Sequence, residues 1–582
     1  MIDEKSSELT TRSDSLRPGP RHSFLTRPRC RSLLIAVAVA VGAIYVLATF
    51  DLPFLTGTGP FWANPRGPWL TDAADIHDNV DMLDCLAGYL AFLHEPWGLP
   101  VFFVGSVGAP AGTNVIFVDV IPIAAFLGKI VSGLAGRVIV PYGLWVGLCF
   151  VLSAVLAVLV VVEVGQRSIL ASVAASLLVL SAPALLHRFG HLGLLAHFEI
   201  LGAFFLYLRD RRLTAARFRT AAWSAWLVLT LLTHVYLFAM IGSIYVASLL
   251  RRRRVEPSRR PLAEPAFVVG AVIAVMVIAG HVGPGTGTSP FAGGFGYFSM
   301  NLVSPFWPQR SGVFPGQQAI IDATGGQYEG FNYLGFGSLL MVFGAVGLNL
   351  SEFSMMMRRH RELAVVLTLL TLFAVSHRVF LGSIELIDLD FSWHVDRLLG
   401  IFRSSGRMFW PAYYGLMLGG LVLLLRRLSP AWQVGIVVAC CALQLVDTEP
   451  LRHRLSLLTG RGISTILDEA AWSKRISDAA RIEVYPTFAC INAPQLWTPN
   501  MELQLFAARA GRSDNSVANS RLKTDCEAEA DRVRSGPWQA DTLYVLLSSG
   551  SDRFPTGWLP PGLTCHSFAQ GHWCQGRVGP GN

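Results

Sequence analysis

The sequence predicts a polytopic α-helical membrane protein of about eleven transmembrane helices, followed by a small extracytoplasmic α/β domain. Three observations predict it. Apolar residues make up 52% of the 582 residues and charged residues only 15%, against about 25% in a soluble chain. Apolar runs long enough to cross a bilayer recur through the first three quarters. Basic residues cluster between those runs, as they do in cytoplasmic loops. Together these exclude a purely soluble enzyme, a disordered chain and a fibrous one. The net charge of +8 is then first a topology signal. No zinc-finger spacing or aromatic-basic strip makes nucleic acid an expected partner.

Residues 1–31 are polar, contain Pro and Ser, and carry Arg12, Arg17, Arg21, Arg27, Arg29 and Arg31. They predict a disordered cytoplasmic tail. The run 32–50 follows with no small-x-small cleavage site close behind, so it reads as an uncleaved first span. The other spans are 139–162, 168–186, 193–208, 265–280, 334–350, 363–375, 408–425 and 432–446. A hairpin over 220–250 lies between two basic loops and must cross twice, with its turn near Thr233-His234. The transmembrane region is thus 32–446. The stretch 115–134 does not fit as a span, because counting it would place Arg209 to Arg219 outside. Asp119, Pro122 and Lys129 mark it as interfacial or re-entrant.

Three outer loops result, 51–138, 281–333 and 377–407, and the tail 447–582 lies outside. Within the tail, 481–485 and 542–547 read as strands and 501–510 as a helix. Four of the nine cysteines fall there. An oxidising compartment favours disulfides, and four cysteines allow three pairings. Cys565 and Cys574 bracket a turn at Gln570-Gly571, which favours that pair and leaves Cys490 with Cys526.

The first outer loop carries the sharpest local pattern. Asp72, Asp75, Asp78, Asp81 and Asp84 recur every third residue. On a helix such residues are neighbours, so like charges would stack unless a proton, an Arg or a divalent cation relieved them. The pattern fits a catalytic carboxylate beside a lipid-linked substrate, and it fits equally a solvated acidic helix start. His191 and Glu199 follow at no strong metal-ligand spacing, and His197 and His234 read as hydrogen-bonded core residues. Arg403 and Arg407 flank Ser404-Ser405-Gly406 just outside a span. Arginine there suits bidentate phosphate recognition, or snorkelling to lipid headgroups. Glu329 stands alone among aromatics in the middle outer loop, a setting that suits sugar stacking. No Walker-type loop is present to drive work with ATP.

These segments carry a family resemblance. The layout of spans and outer loops resembles the GT-C superfamily of polytopic glycosyltransferases, and the segments that match are Asp81-Met-Leu-Asp84, Glu95-Pro-Trp97, Phe117-Val-Asp119, Arg188-Phe-Gly-His191, Gln327-Tyr-Glu-Gly330 and Phe402-Arg-Ser-Ser-Gly-Arg407. More closely, they resemble a bacterial branch of such proteins defined by a domain of unknown function. The resemblance implies an enzyme of a bacterial inner membrane with a polyprenyl-phosphate sugar donor. The acceptor would be a glycan, lipid or protein of the cell envelope. It also implies a catalytic acid in the first outer loop, which ranks Asp81 and Asp84 as catalytic. Asp75, Asp78, Asp119, His191, Glu329, Arg403 and Arg407 become substrate-binding candidates. Metal ligands stay unassigned, with Mg2+ or Mn2+ as open options, since Asp388-Leu-Asp390 is the one Asp-x-Asp pair in the outer loops. The competing functions are a transporter or flippase of a lipid-linked or polar substrate, and a non-catalytic scaffold. A transporter would more often show repeated halves, which this sequence lacks.

Overall fold

The fold is that of a computed structural model, which describes residues 28–68, 78–210, 215–255, 262–282, 294–314, 321–519, 524–549, 560 and 562–576. Helices dominate. In chain order they include α1 (Pro28–Thr49), α2 (Asp81–His94), α3 (Pro122–Ala135), α4 (Tyr142–Glu163), α5 (Ile169–Leu180) and α6 (Phe198–Arg209). Next come α7 (Ala216–Leu231), α8 (Val235–Val255), α9 (Ala263–Ala279), α10 (Phe336–Leu348), α11 (Leu350–Arg359) and α12 (Arg361–Val375). Then follow α13 (Trp410–Arg427), α14 (Pro430–Asp447), α15 (Glu469–Asp478), α16 (Trp497–Arg509) and α17 (Cys526–Ser535).

Among the described residues, six helical segments are long and apolar enough to cross a membrane: those containing α1, α4, α6, α8, α13 and α14. The number is eight if two bent pairs each count once: α5 with residues 183–190, and α10 with α11. The chain is therefore a multi-pass membrane protein. Local chemistry sets the helix ends. Ser168 caps α5 by accepting from the Ala171 N–H at 3.1 Å. Pro411 and Pro430 open α13 and α14, where a missing N–H costs nothing. Gly280 closes α9 at φ 86°, and Asn114 Nδ2 donates to Ala279 O at 2.8 Å. A Cβ on Gly280 would stand 2.1 Å from that amide nitrogen, so only glycine fits.

The bundle has two unlike ends. Arg209–Glu163, Arg252–Asp210, Arg252–Glu264 and Arg254–Glu362 ion pairs gather at one of them. The opposite end carries the described loop segments 51–68 and 78–141. The stretch 115–134 lies there as a 3-10 turn (Val115–Phe117) followed by α3. Lys129 in α3 donates to Phe92 O and Glu95 O at the end of α2, which occupies two of its three donors. α7 and α8 break at Leu232–His234.

The acidic stripe is not one helix. Asp78-Asn79 is extended and pairs with Gly67-Pro68. The helix α2 starts only at Asp81, whose N–H donates to Asn79 Oδ1 at 2.8 Å. Asp81 and Asp84 share its first turn, and Asp72 and Asp75 lie outside the described residues.

Toward the C-terminus, β1 (Arg481–Tyr485), β2 (Ser513–Asp514), β3 (Thr542–Leu547), β4 (Leu563–Phe568) and β5 (Gly571–Gly576) form one sheet in the order β4-β5-β3-β1-β2. β1 runs parallel to β2 and β3, and β5 antiparallel to β3 and β4. β3 is buried at every position, as expected for a central strand covered on both faces. Trp472, Ile476, Leu503 and Phe506 pack one face, and Val533 of α17 the other. The structure joins Cys490 to Cys526 and Cys565 to Cys574, the latter pair directly opposite across β4 and β5.

This sheet unit is seated on the loop end of the bundle. Met501, Leu505 and Ala508 of α16 belong to the main hydrophobic core. Asp514 N donates to Ser106 O at 2.9 Å, and Ala109 N to Asp514 O at 2.8 Å. Glu502, fully buried, accepts from Asn64 Nδ2 at 3.2 Å and from the Ile466 and Leu467 N–H groups.

Candidate functional site

Five sequence candidates and one further arginine meet at the loop end. His191 is the hub. It lies between two 3-10 turns, His187–Gly190 and Leu192–Leu195, at a bend that belongs to neither. Its Nδ1 is 3.3 Å from Asp81 Oδ2 and 3.3 Å from Asp119 Oδ2. Its Nε2 is 3.3 Å from Glu329 Oε1. Asp119 reaches the ring from a left-handed backbone, φ 50°, a conformation that Asp tolerates better than most residues.

Behind His191 lies a buried ion cluster. Arg407 grips Glu329 with both arms, Nη2 to Oε1 at 2.7 Å and Nε to Oε2 at 2.9 Å. Arg188 donates from Nη1 to Glu329 Oε2. Arg188 is fully buried and Glu329 and Arg407 nearly so. Aromatic faces complete the enclosure, Tyr236 at 4.9 Å from the Arg407 guanidinium and Trp410 at 5.7 Å from that of Arg188. Burial alone would raise the Glu329 carboxyl, but Arg407, Arg188 and His191 hold it well below the usual range. Glu329 is thus an anion that two arginines need, because an unpaired buried guanidinium is costly.

The front of the site is wetter. Asp81 and Asp119 keep 36% and 41% of their side chains exposed. Burial pushes Asp81 up to about 6, with His191 opposing and Asp119 adding to the rise. Burial also opposes charge on His191, yet Asp81, Asp119 and Glu329 lift it to about 9. Asp119 is raised by burial and lowered more by its contacts with His191, ending below the ordinary carboxylate value. A small cavity of about 10 Å³ opens between Asp81, Asp119, His191 and His234, room for about one water-sized particle. A sugar cannot enter it and would have to sit at its mouth.

One ligand atom each from Asp81, Asp119 and His191 lie within 4.8 Å of one another, close enough to hold one metal ion. Two carboxylates and an imidazole suit Mn2+ or Zn2+ better than Mg2+, which prefers oxygen alone. The same geometry also closes an ion network when His191 is protonated.

Other candidates fall elsewhere. Asp84 is one turn along α2, only 5% exposed and outside the cavity lining. Burial pushes its carboxyl well up, with Asp119 and Asp81 adding to the rise. Arg403 is exposed, with its guanidinium 5.5 Å from the Phe298 ring. Asp78 lies in the extended pair before α2, and Asp75 is not described. Arg188 and His234 were not among the sequence candidates. A lone arginine inside an apolar run was the available signal for Arg188.

Two solved structures resemble this chain in outline. One is a crystal structure of the Archaeoglobus fulgidus oligosaccharyltransferase in complex with Zn and sulfate. It is 11% identical at a TM-score of 0.41, over 83% of this chain and 62% of that one. The other is the archaeal oligosaccharyltransferase AglB from Archaeoglobus fulgidus with an inhibitory peptide and a dolichol-phosphate. It is 12% identical at a TM-score of 0.39, over 84% of this chain and 65% of that one. The match therefore spans less than two thirds of either oligosaccharyltransferase. No curated protein sequence matches the chain. A family described as "Domain of unknown function (DUF6311)" matches residues 39–449, and its "DUF6311 C-terminal domain" matches 471–574. With more than half of its length matched by the first of these, the chain belongs to the DUF6311 family.

Proposed function

We propose that the protein is a GT-C-type membrane glycosyltransferase. It moves a sugar from a polyprenyl-phosphate donor to a cell-envelope glycan, lipid or protein on the outer face of a bacterial inner membrane. The observation that carries this reading is the convergence of Asp81, Asp119 and His191 on one small cavity, backed by the Glu329 ion cluster. Such a front pairs acid groups for an acceptor hydroxyl with positive charge for a leaving phosphate.

Each residue has a task. Asp81, Asp119 and His191 would hold a divalent cation, and when bound it would supply positive charge to the donor's phosphate. A carboxylate has lone pairs on two oxygens, so Asp81 can face His191 with Oδ2 and orient the acceptor hydroxyl with Oδ1. Glu329 is a positioning residue that fixes His191, Arg188 and Arg407. Because the Arg407 fork is engaged by Glu329, the exposed Arg403 is the better phosphate contact. The sheet unit, seated on the first outer loop, would recognise the acceptor.

The orientation belongs to the same proposal. The arginine-rich end would be cytoplasmic by charge bias. Eleven passages result if α7, α9 and α12 cross with the eight longer or bent segments, leaving 1–31 inside and 447–582 outside.

The test is release of polyprenyl phosphate from a panel of polyprenyl-phosphate sugars by the purified full chain, with Mn2+ or with EDTA. Release that Asp81→Asn abolishes while the fold is kept supports the reading. No release from any donor, with acceptor-bearing membranes present, overturns it.

A further inference from the structure

A second and larger cavity, about 420 Å³, forms a half-open groove between helices of the bundle, away from the site just described. Its walls are α4, α6, α10, α12 and α13, and α11 covers one end. Along α13 it runs from Phe409 to Leu423, about 21 Å at the helical rise, or some two thirds of a bilayer's hydrocarbon core. The lining is almost wholly apolar. The Thr371 hydroxyl is spent on Leu367 O at 2.8 Å, and His360 Nδ1 meets the Tyr207 hydroxyl at 3.3 Å at the basic end. Water has few partners there.

Small residues on α13 keep the space open. A Cβ on Gly415 would come no closer than 3.4 Å to Leu367, and one on Gly419 no closer than 3.6 Å to Met356. Larger side chains would fill the cavity. The two ends differ in charge. At the loop end the cavity stops at Phe409, beside Arg407, whose fork is held by Glu329. At the other end α11 turns 95° from α10 and lies across the mouth. Phe353, Met356 and Met357 face the cavity while Arg358 and Arg359 are exposed. The exposed Arg426 donates to the carbonyl of Val164, a lining residue, at 2.9 Å.

We infer that this cavity holds an acyl chain of an anionic phospholipid whose headgroup phosphate rests on the Arg358, Arg359 and Arg426 rim. An apolar slot at membrane depth with a cationic mouth matches that amphiphile in both chemistry and polarity. The inference does not depend on sugar transfer at the loop end.

Native mass spectrometry of the full chain, released from micelles containing phosphatidylglycerol or phosphatidylcholine, tests it. Wild type should retain one phosphatidylglycerol in preference to phosphatidylcholine and gain thermal stability from it. Gly419→Phe should lose the retained lipid, whereas Gly435→Phe, in open space on the exposed face of α14, should keep it. The triple change Arg358→Gln, Arg359→Gln and Arg426→Gln lies on the surface and should fold. It should cut the preference for phosphatidylglycerol on the order of tenfold. Equal retention of both lipids by wild type, unchanged retention in Gly419→Phe, or displacement of the lipid by an added polyprenyl phosphate would each overturn the inference.

Discussion

The two ends of the bundle use the same charged residues and obtain different results. At the basic end, arginines and glutamates meet at helix termini with partial exposure, as in Arg254–Glu362, where the arginine side chain is 34% exposed. Water screens the more exposed of these arginines, so a pair such as Arg254–Glu362 adds little, although Asp210 and Glu163 themselves are nearly buried. At the loop end, Glu329, Arg188 and Arg407 are sealed among aromatic rings. There the cost of burying charge is met only while every partner is present. Charge at one end ties helix termini together near the surface. Charge at the other holds a site.

The largest test of that contrast is Glu329→Gln. It leaves two buried guanidinium groups without their anion and should cost about 3–5 kcal/mol, read as a lowered unfolding midpoint. Arg254→Gln should cost about 0–1 kcal/mol in the same assay. Similar losses from both would erase the distinction between the ends.

Asp81→Asn sharpens the contrast within the loop end. Asp81 faces the open cavity, so stability should hold while turnover falls by about 10²–10⁴. A large stability loss would place Asp81 with the structural cluster instead. Next in size are the disulfides. Cys490–Cys526 closes 36 residues and Cys565–Cys574 closes 9, so serine replacement should cost about 4 and about 2.5 kcal/mol on the chain-entropy account. Reducing-agent titration of thermal unfolding ranks them.

The smallest expected effect is a pH dependence. Burial pushes the Asp514 carboxyl well above its ordinary value at the seam between the sheet and the loop at Ser106 to Ala109. The folded state therefore binds the proton more tightly than the unfolded state. Its contribution is fully present below the unfolded value near 4 and is lost as pH rises through the folded value. Asp514→Asn should flatten that slope and raise neutral-pH stability on the order of 1 kcal/mol. Thermal melts from pH 4 to 8 read it, and an unchanged slope would assign the dependence to another group.

Much of this was legible in advance. Strands at 481–485 and 542–547 coincide with β1 and β3, because β-branched and aromatic runs bounded by polar residues are local signals. The turn at Gln570-Gly571 placed Cys565 opposite Cys574. The acidic stripe was only half legible. Its period of three suggested one helix, but pairing of Asp78-Asn79 with Gly67-Pro68 delays the helix to Asp81. That pairing is tertiary, and it separates Asp78 from Asp81.

By itself the sequence indicated the membrane character and the basic and loop ends, favoured the cysteine pairs, and offered among its candidates four residues now facing His191 or clustered behind it: Asp81, Asp119, Glu329 and Arg407. These are consequences of composition, charge bias and short-range spacing. Only the tertiary structure decided who touches whom. Arg188 lies 141 residues from Glu329, and Asp119 lies 72 from His191. No periodicity encodes such pairs. They follow from packing the bundle so that each buried charge finds its opposite, because a charge left alone at that depth is too costly to keep.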